Sequence, residues 1–352
     1  MTHQTKILFL LKHRHTYSTA EHSYSLSSGL QNSAQFCSDA LNKHHFESVV
    51  VEVVDNNAID AAVTKHKPDV VIIEALWVVP EKIDILRKLH PTVQWVIRLH
   101  SEIPFLSSES VAIDWIRQYV KMARVSVAFN SAETLYDFLN YSRALLHNTH
   151  HWGNAILLPN VYPVSTHDLV PKNVGKTLDV GLFGALRPLK AQVTQAMAAI
   201  EYCRIHDLNL RLHINSTRKD GEFADPILKN LRALFAKLPA PFILEEHDWL
   251  DREDFLTLVR QMDVIMQCSF SESFCIIAAD SVSEGIPVVV SKEVSWVNSV
   301  FQADPTSVED MVQVLRTALT FRDEIEWNRY ALAQTVHENT KIWIHELQKL
   351  VS

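Results

Sequence analysis

The sequence predicts an α/β protein with two domains, each built on a parallel β-sheet. Its 352 residues are too many for one ordinary core, and they suit two domains of about 150–170 residues. Short β-branched runs alternate with stretches of helix length in both halves, which implies parallel sheets with right-handed crossovers. A polar stretch at residues 164–176, with Pro171 and Gly175, interrupts this alternation and is the predicted linker.

The first domain, residues 1–163, is predicted to alternate short apolar strands with helices. The predicted strands are Ile7–Leu11, Glu47–Val54, Val70–Glu74, Val93–Leu99 and Val125–Phe129, with residues 157–162 as the last strand. The predicted helices lie near residues 28–42, 58–65, 81–89, 112–121 and 132–139.

The second domain, residues 177–321, repeats the pattern. Its predicted strands are Asp179–Phe183, Leu208–Ile214, Phe242–Glu245, Asp263–Cys268 and Ile286–Val290. Helices are predicted at Ala191–Ile205 and at Phe274–Glu284, where Gly285 and Pro287 end the second one. Residues 322–352 are predicted to be helical.

Composition restricts the class of protein. Hydrophobic residues make up 47% of the chain and charged residues 21%, which is typical of a globular protein. The apolar run Ile7–Leu11 is too short for a signal peptide or a membrane span, and the four cysteines have no CxxC spacing. We therefore expect a cytoplasmic protein without a transmembrane segment and with reduced thiols.

Histidines are frequent, but their spacing does not indicate a metal site. His147, His150 and His151, and the pair His13 and His15, lack a cysteine or carboxylate at the spacing of a ligand set. No D-x-D pair follows a predicted strand. We expect no metal and no cofactor.

The most informative segment is 262–291, which is predicted to be a strand, a polar turn, a helix and a second strand. Ser269, Ser271 or Ser273 can cap the helix. Glu272 lies at its entrance and Asp280 eight residues on, about 80° around the axis and about 12 Å along it. Two carboxylates at that spacing can contact the two ends of an extended ligand. The alternative is a plain αβ unit whose glutamate is favoured by the helix dipole.

A second motif lies upstream, where a predicted strand ends in a turn that contains two glycines. Gly184 allows the backbone to approach a ligand closely. Arg187 offers a forked donor for phosphate oxygens, and Lys190 lies near the free amides of a predicted helix start. Alone, this turn is also compatible with ordinary surface chemistry.

Together, the two motifs resemble the C-terminal domain of retaining nucleotide-sugar glycosyltransferases of the GT-B architecture, the family-4-like group. That group carries E-x7-E followed by a G-[IV]-P-V-V strand, and here Asp280 stands in place of the second glutamate. The resemblance implies two Rossmann-like domains that face a central cleft, with the C-terminal helix, residues 322–352, returning to the first domain. It also implies a metal-independent reaction.

The resemblance further implies residue roles in donor binding. Glu272 is expected to contact the hydroxyls of the donor sugar, Asp280 the nucleotide ribose, and Arg187 with Lys190 the diphosphate. Trp249 offers a stacking face to the base, or belongs to the core. The remaining expected donor-binding residues are Gly184, Ser273, Phe274, Cys275 and Ile276.

Side chains at the carboxyl ends of the first-domain strands are expected on the acceptor side. These residues are His13, Arg14, Gly29, Glu74, Arg98 and His100. By the resemblance, His100 points at the reacting sugar and joins Glu272, Arg187 and Lys190 as a catalytic residue. The alternative is a hydrogen-bonded structural histidine at a strand end.

The expected reaction is transfer of a sugar, with retention, from a nucleotide-diphosphate sugar to an acceptor hydroxyl. The N-terminal half is similar to glycosyltransferases of tailed phages, which implies a 5-hydroxymethylpyrimidine of DNA as acceptor and the host cytoplasm as location. The net charge of −8 argues against a broad nucleic-acid footprint, although Lys12, Arg14, Lys43 and Arg98 can form a local basic rim. A saccharide or cell-envelope acceptor, a nucleotide-sugar epimerase and a non-catalytic nucleotide-sugar binding protein remain alternatives.

Overall fold

The computed structural model describes residues 4–13, 29–145, 154–164, 174–218, 224–239, 241–321 and 325–352. The chain divides into two compact units. Unit 1 comprises residues 1–163 and 336–352, and unit 2 comprises residues 164–335. Most of the predicted linker, and Arg14 of the predicted acceptor side, lie outside the described residues.

Unit 1 contains a parallel sheet with the strand order β2-β1-β3-β4-β5-β6. The strands are β1 (Lys6–Lys12), β2 (Glu47–Val53), β3 (Val70–Glu74), β4 (Gln94–Arg98), β5 (Val125–Phe129) and β6 (Ala155–Leu157). The helices are α1 (Gly29–Asn42), α2 (Ala58–His66), α3 (Pro80–Leu89), α4 (Ile103–Leu106), α5 (Ala112–Tyr119) and α6 (Ala132–Leu145).

The central strands of unit 1 are buried on both faces, as their continuous β-branched sequences predict. One face packs Leu10, Ile73 and Trp95 into a core beneath α2, α3 and α5. The other face packs Phe9 and Ile72 together with Trp343. Trp343 belongs to the C-terminal helix α12 (Ile325–Val351), so the end of that helix forms part of the core of unit 1.

The last strand of unit 1 differs from the prediction. Residues 157–162 were expected to form it, but β6 covers Ala155–Leu157 and the chain leaves the sheet after Leu158. Pro159 explains the difference, because proline has no N–H to donate to a strand ladder.

Unit 2 contains a second parallel sheet, with the order β11-β10-β7-β8-β9. The strands are β7 (Thr177–Leu182), β8 (Asn209–Asn215), β9 (Phe242–His247), β10 (Val264–Gln267) and β11 (Val288–Val290). The helices are α7 (Gln192–Ile205), α8 (Ala224–Phe235), α9 (Arg252–Val259), α10 (Ile276–Ser283) and α11 (Val308–Thr320), followed by the first part of α12. Since the strands are parallel, the loops that follow β7, β8, β9 and β10 gather at one edge of this sheet.

Two helices of unit 2 start later than predicted. Pro188–Lys190 forms a short 3-10 turn, and Ala191 adopts a left-handed backbone with φ 49° before α7 begins. Similarly, Cys275 has φ 60° and precedes α10 without a side-chain cap, so the expectation of a capping serine is wrong. In both loops a left-handed residue turns the chain sharply, and the regular helix starts only after it.

Across the residues that the structure describes, no helix combines the length and the apolar character that a bilayer crossing needs.

Candidate functional site

The loops after β7 and β8 are joined at the carboxyl edge of the unit 2 sheet. The backbone N–H of Gly184 donates to Asn215 Oδ1 at 2.9 Å, and the N–H of Leu186 donates to the carbonyl of Arg218 at 3.2 Å. Gly184 has φ 107°, and a Cβ there would lie 3.0 Å from Ile277 Cδ1 in α10. Glycine is therefore favoured at this position by its backbone conformation, and any larger residue would also require Ile277 to shift.

The loop after β9 joins the same group. Asn215 Nδ2 donates to the carbonyl of Asp248 at 3.3 Å, and the N–H of Trp249 donates to Thr217 Oγ1 at 2.9 Å. The guanidinium of Arg218 lies over the indole of Trp249, with its carbon 4.4 Å from the ring centroid. One face of Trp249 thus carries a cation–π contact. Stacking of a base on this residue stays a prediction.

Lys190 and Glu272 meet directly, although 82 residues separate them in the sequence. The Lys190 ammonium lies 2.5 Å from Glu272 Oε2, and the two side chains are 8% and 15% exposed. Two hydrogen bonds to backbone carbonyls hold the turn that carries the lysine. Gln195 Nε2 donates to the carbonyl of Lys190 at 2.6 Å, and the N–H of Phe270 donates to the carbonyl of Leu189 at 2.8 Å. The structure therefore brings together two of the predicted site residues from different loops.

The charge state of Glu272 follows from its neighbours. Burial opposes ionisation of the carboxyl, but Lys190 and, more weakly, Arg187 outweigh it and hold the pKa of Glu272 below its ordinary value. The carboxylate is thus ionised at neutral pH and neutralised by two cations. Lys190 lies in the 3-10 turn and points to Glu272, whereas the sequence predicted it beside the free amides of a helix start.

In the segment between Glu272 and α10, backbone groups make hydrogen bonds, and two of the side chains are buried. The N–H of Ser273 donates to Glu272 Oε1 at 3.3 Å. The side chains of Phe274 and Cys275 are buried, and Trp296 Nε1 donates to the carbonyl of Phe274 at 2.7 Å. The role of this segment, through Ile276, in binding a donor stays a prediction.

Asp280 forms an ion pair that the sequence analysis did not predict. Arg252, the first residue of α9, donates from Nη2 to Asp280 Oδ1 at 2.8 Å. The Asp280 side chain is 2% exposed, while that of Arg252 is 22% exposed. No sequence motif pointed to Arg252, because its partner is 28 residues away, in the middle of α10.

In unit 1, the predicted residues Glu74, Arg98 and His100 converge at the ends of β3 and β4. Arg98 Nη1 lies 3.2 Å from Glu74 Oε1, and His100 Nε2 hydrogen-bonds to the other oxygen of Glu74. Arg98 Nε also donates to the carbonyl of Leu158 at 3.0 Å, and Nη2 donates to Asn160 Oδ1 at 2.8 Å.

The expected place of Arg98 on a basic rim is wrong. Its side chain and that of Glu74 are both 0% exposed, and the guanidinium lies 5.1 Å from the centroid of the Trp343 ring. A fully buried guanidinium cannot contact a ligand at the surface. Arg98 instead neutralises Glu74 and holds it beside His100.

The pKa values of the Glu74–His100 pair are shifted in the same direction. Burial opposes ionisation of Glu74, but Arg98 and His100 outweigh it and lower its pKa. Burial also disfavours the imidazolium of His100 and lowers its pKa, against the pull of Glu74. Because the ordinary value for histidine is about 6.5, His100 is neutral at pH 7 and donates from Nε2 to the carboxylate.

The other described residues of the predicted acceptor side are His13 and Gly29. His13 follows β1, and its Nδ1 lies 2.9 Å from Glu52 Oε2 on β2. Gly29 begins α1 as predicted, and a Cβ there would meet open space. Space therefore places no demand for glycine at position 29.

A partly buried chain of hydrogen-bonded side chains was not predicted from the sequence. Asp179 Oδ1 lies 3.0 Å from His213 Nε2, and His213 Nδ1 lies 2.9 Å from His247 Nε2. Burial raises the pKa of Asp179, but His213 and Arg211 outweigh it and lower that pKa to about 2. The available signal was the polar alternation along β8, which places Arg211 and His213 on one face of the sheet.

Among the residues whose positions are described, no group of three or more histidine, cysteine or acidic side chains is arranged to hold a metal ion. Independence from metal stays a prediction. The four cysteines are buried and unpaired.

No protein-family model and no curated protein sequence matches this chain. Solved structures do match it. A glycosyltransferase from Rickettsia africae is 12% identical and covers 99% of each chain, with a TM-score of 0.65.

Two synthases are also similar. A trehalose-6-phosphate synthase, OtsA, is 12% identical over 98% of this chain and 99% of its own, with a TM-score of 0.73. A UDP-forming α,α-trehalose-phosphate synthase from Burkholderia xenovorans, in complex with glucose-6-phosphate, is 15% identical over 84% of this chain and 77% of its own, with a TM-score of 0.64. At this identity the similarity concerns the fold: the chain has the α/β fold, with two Rossmann-like domains, of GT-B glycosyltransferase structures.

Proposed function

We propose that this protein is a glycosyltransferase that moves a sugar from a nucleotide-diphosphate donor to an acceptor hydroxyl. The observation that carries the proposal is the Lys190–Glu272 pair, which places a cation and a carboxylate at the carboxyl edge of the unit 2 sheet, near Arg187. Ligands of open α/β sheets bind at this edge. The similar synthase from Burkholderia xenovorans is described as UDP-forming, which supports a nucleotide-sugar donor.

The roles follow from charge. As the bond between the anomeric carbon and the diphosphate oxygen breaks, negative charge grows on the leaving diphosphate. Lys190 and Arg187 are the groups that stabilise it by charge-assisted hydrogen bonds. Glu272 accepts hydrogen bonds from the sugar hydroxyls and orients the ring. When the donor binds, Lys190 shares its hydrogens between Glu272 and a phosphate oxygen.

Retention of the anomeric configuration is part of the proposal. The acceptor oxygen forms the new bond on the face from which the diphosphate departs, and its proton passes to an oxygen of that diphosphate. His100, kept neutral and held by Glu74, is proposed to contact the reacting sugar. Determination of the product's anomeric configuration by NMR tests retention, and a product with the opposite configuration from the donor contradicts it.

Two acceptor classes are proposed. A 5-hydroxymethylpyrimidine of DNA rests on the resemblance of the N-terminal half to phage glycosyltransferases. A small saccharide or sugar phosphate is favoured by two observations: Arg98 is buried and so does not add to a basic rim, and the similar synthase is in complex with glucose-6-phosphate. Mass spectrometry of hydroxymethylated DNA and of a sugar-phosphate panel, each incubated with donor, distinguishes the two by the mass of one added sugar.

The first experiment is a thermal-shift screen of nucleoside diphosphates and their sugars. A ligand at a hundred times its Kd is expected to stabilise the protein by about 2.7 kcal/mol. A labelled donor is then incubated without acceptor, because an epimerase would isomerise the sugar and a binding protein would leave it unchanged. Absence of any nucleotide-dependent shift contradicts the proposal.

A further inference from the structure

The Arg252–Asp280 ion pair joins the start of α9 to α10, the two helices that follow the loops after β9 and β10. Asp280 follows Ile277 by three residues, so the two side chains lie on one face of α10. Ile277 is the side chain that a Cβ at Gly184 would meet. The ion pair therefore lies one helical turn from the glycine loop.

The two members of the pair are not equally accessible. Asp280 is 2% exposed and Arg252 is 22% exposed. Most of the exposed surface of the pair therefore belongs to the arginine side chain. A ligand at this place meets the arginine first.

Aspartate and arginine recognise different groups of a ligand. An ionised carboxylate only accepts hydrogen bonds and therefore binds the hydroxyl donors of a ribose, whereas a guanidinium only donates and binds acceptor oxygens. Arg187 and Lys190 are already assigned to the diphosphate. Arg252 is three residues from Trp249, the predicted contact of the base.

We propose that Arg252 donates to the ribose ring oxygen or to base oxygens of the donor's nucleoside, not to its hydroxyls, and that Asp280 is a positioning residue for its guanidinium. This inference rests on the proposed function, since it assumes a nucleotide donor. Its consequence is that the ribose 2′-hydroxyl is dispensable. The protein then accepts 2′-deoxynucleoside diphosphates as well as ribonucleoside diphosphates.

The test is isothermal titration calorimetry with matched ligands. The uridine, guanosine, adenosine and cytidine diphosphates are compared with their 2′-deoxy counterparts and with inorganic pyrophosphate. The expected Kd values of each ribo and deoxy pair differ by less than about twofold. A deoxy form that binds about tenfold more weakly overturns the inference, because that loss is expected when a buried carboxylate loses its hydroxyl partner.

Variants give a second, independent measurement. Arg252→Met combined with Asp280→Asn removes both charges and avoids a buried, unpaired carboxylate. It is expected to lower the ratio of nucleoside-diphosphate to pyrophosphate affinity about tenfold. Arg204→Met, which removes an exposed arginine paired with Glu201, is the matched control and is expected to leave the ratio unchanged.

Asp280→Asn alone separates positioning from direct contact. If Asp280 positions Arg252, this change weakens ribo and deoxy ligands equally, and Asp280→Glu restores part of the affinity. If Asp280 binds the ribose, only the ribo ligands are weakened, and the inference is overturned while the proposed function stands. Failure of every nucleoside diphosphate to bind overturns the proposed function and this inference with it.

Discussion

Replacement of Lys190 by methionine tests the proposed donor site most directly. Methionine keeps most of the length and apolar volume of lysine but removes the charge that lies 2.5 Å from Glu272. A hydrogen bond to a charged group contributes about 1.5–3 kcal/mol. The Kd for the best nucleoside diphosphate is therefore expected to rise by about 10- to 150-fold.

The same change also affects stability. Loss of one partner from a buried ion pair costs about 3–5 kcal/mol, but Arg187 still lies near Glu272. We expect a loss of about 2 kcal/mol in the free energy of unfolding, below that range because one cation remains. The double variant Lys190→Met with Glu272→Gln is expected to recover this stability and not the affinity, which separates the two effects.

Calorimetric titration of the nucleoside diphosphate is the assay, and Lys176→Met is its control. Lys176 pairs with Asp207 at 2.7 Å, as Lys190 pairs with Glu272, but the two side chains are 62% and 100% exposed. Exposed pairs contribute little, so the control is expected to bind like the parent. If folded Lys190→Met binds within about twofold of the parent, the assignment of Lys190 to the diphosphate is wrong.

Three further predictions concern the stability of the two units. Gly184→Ala is expected to destabilise unit 2 by about 1–2 kcal/mol, since φ is 107° and the new methyl would press on Ile277; an unchanged urea midpoint contradicts this. Arg98→Met is expected to cost about 3–5 kcal/mol because Glu74 stays buried without its cation, and the paired change with Glu74→Gln is expected to recover much of it in urea unfolding. The pKa of Asp179 is lowered to about 2 from 3.8, so its ionised form contributes stability above pH 3.8 that is lost as the pH falls towards 2; this amounts to about 2 kcal/mol, and Asp179→Asn should flatten that part of the urea-midpoint profile.

Most of the fold was predictable because its signals are local. Continuous β-branched runs placed the buried strands, and Gly285 with Pro287 predicted the end of α10 and the start of a strand. The ends of elements were less predictable. Cys275 and Ala191 take left-handed backbones that neither residue type favours, so the helix starts depend on how their loops pack.

The sequence predicted which residues belong to the candidate site but not which of them contact each other. The motifs selected Lys190 and Glu272, yet their direct contact depends on two loops that meet at one sheet edge. The sequence analysis also placed Arg98 on a surface rim. A strand-end arginine is exposed or buried according to what covers it, and here Trp343 from the far end of the chain covers it.

The α/β class, the order of the strands and the loops that carry charged side chains could be read from the sequence, because periodicity and turn chemistry act over a few residues. The helices α4, α8 and α11 were not predicted. Which charges pair, and which of them face solvent, depends instead on contacts between distant parts of the chain. Arg252 and Asp280 are 28 residues apart, and their contact and unequal exposure arise from the packing of α9 against α10. Such long-range packing leaves no periodic trace in the sequence.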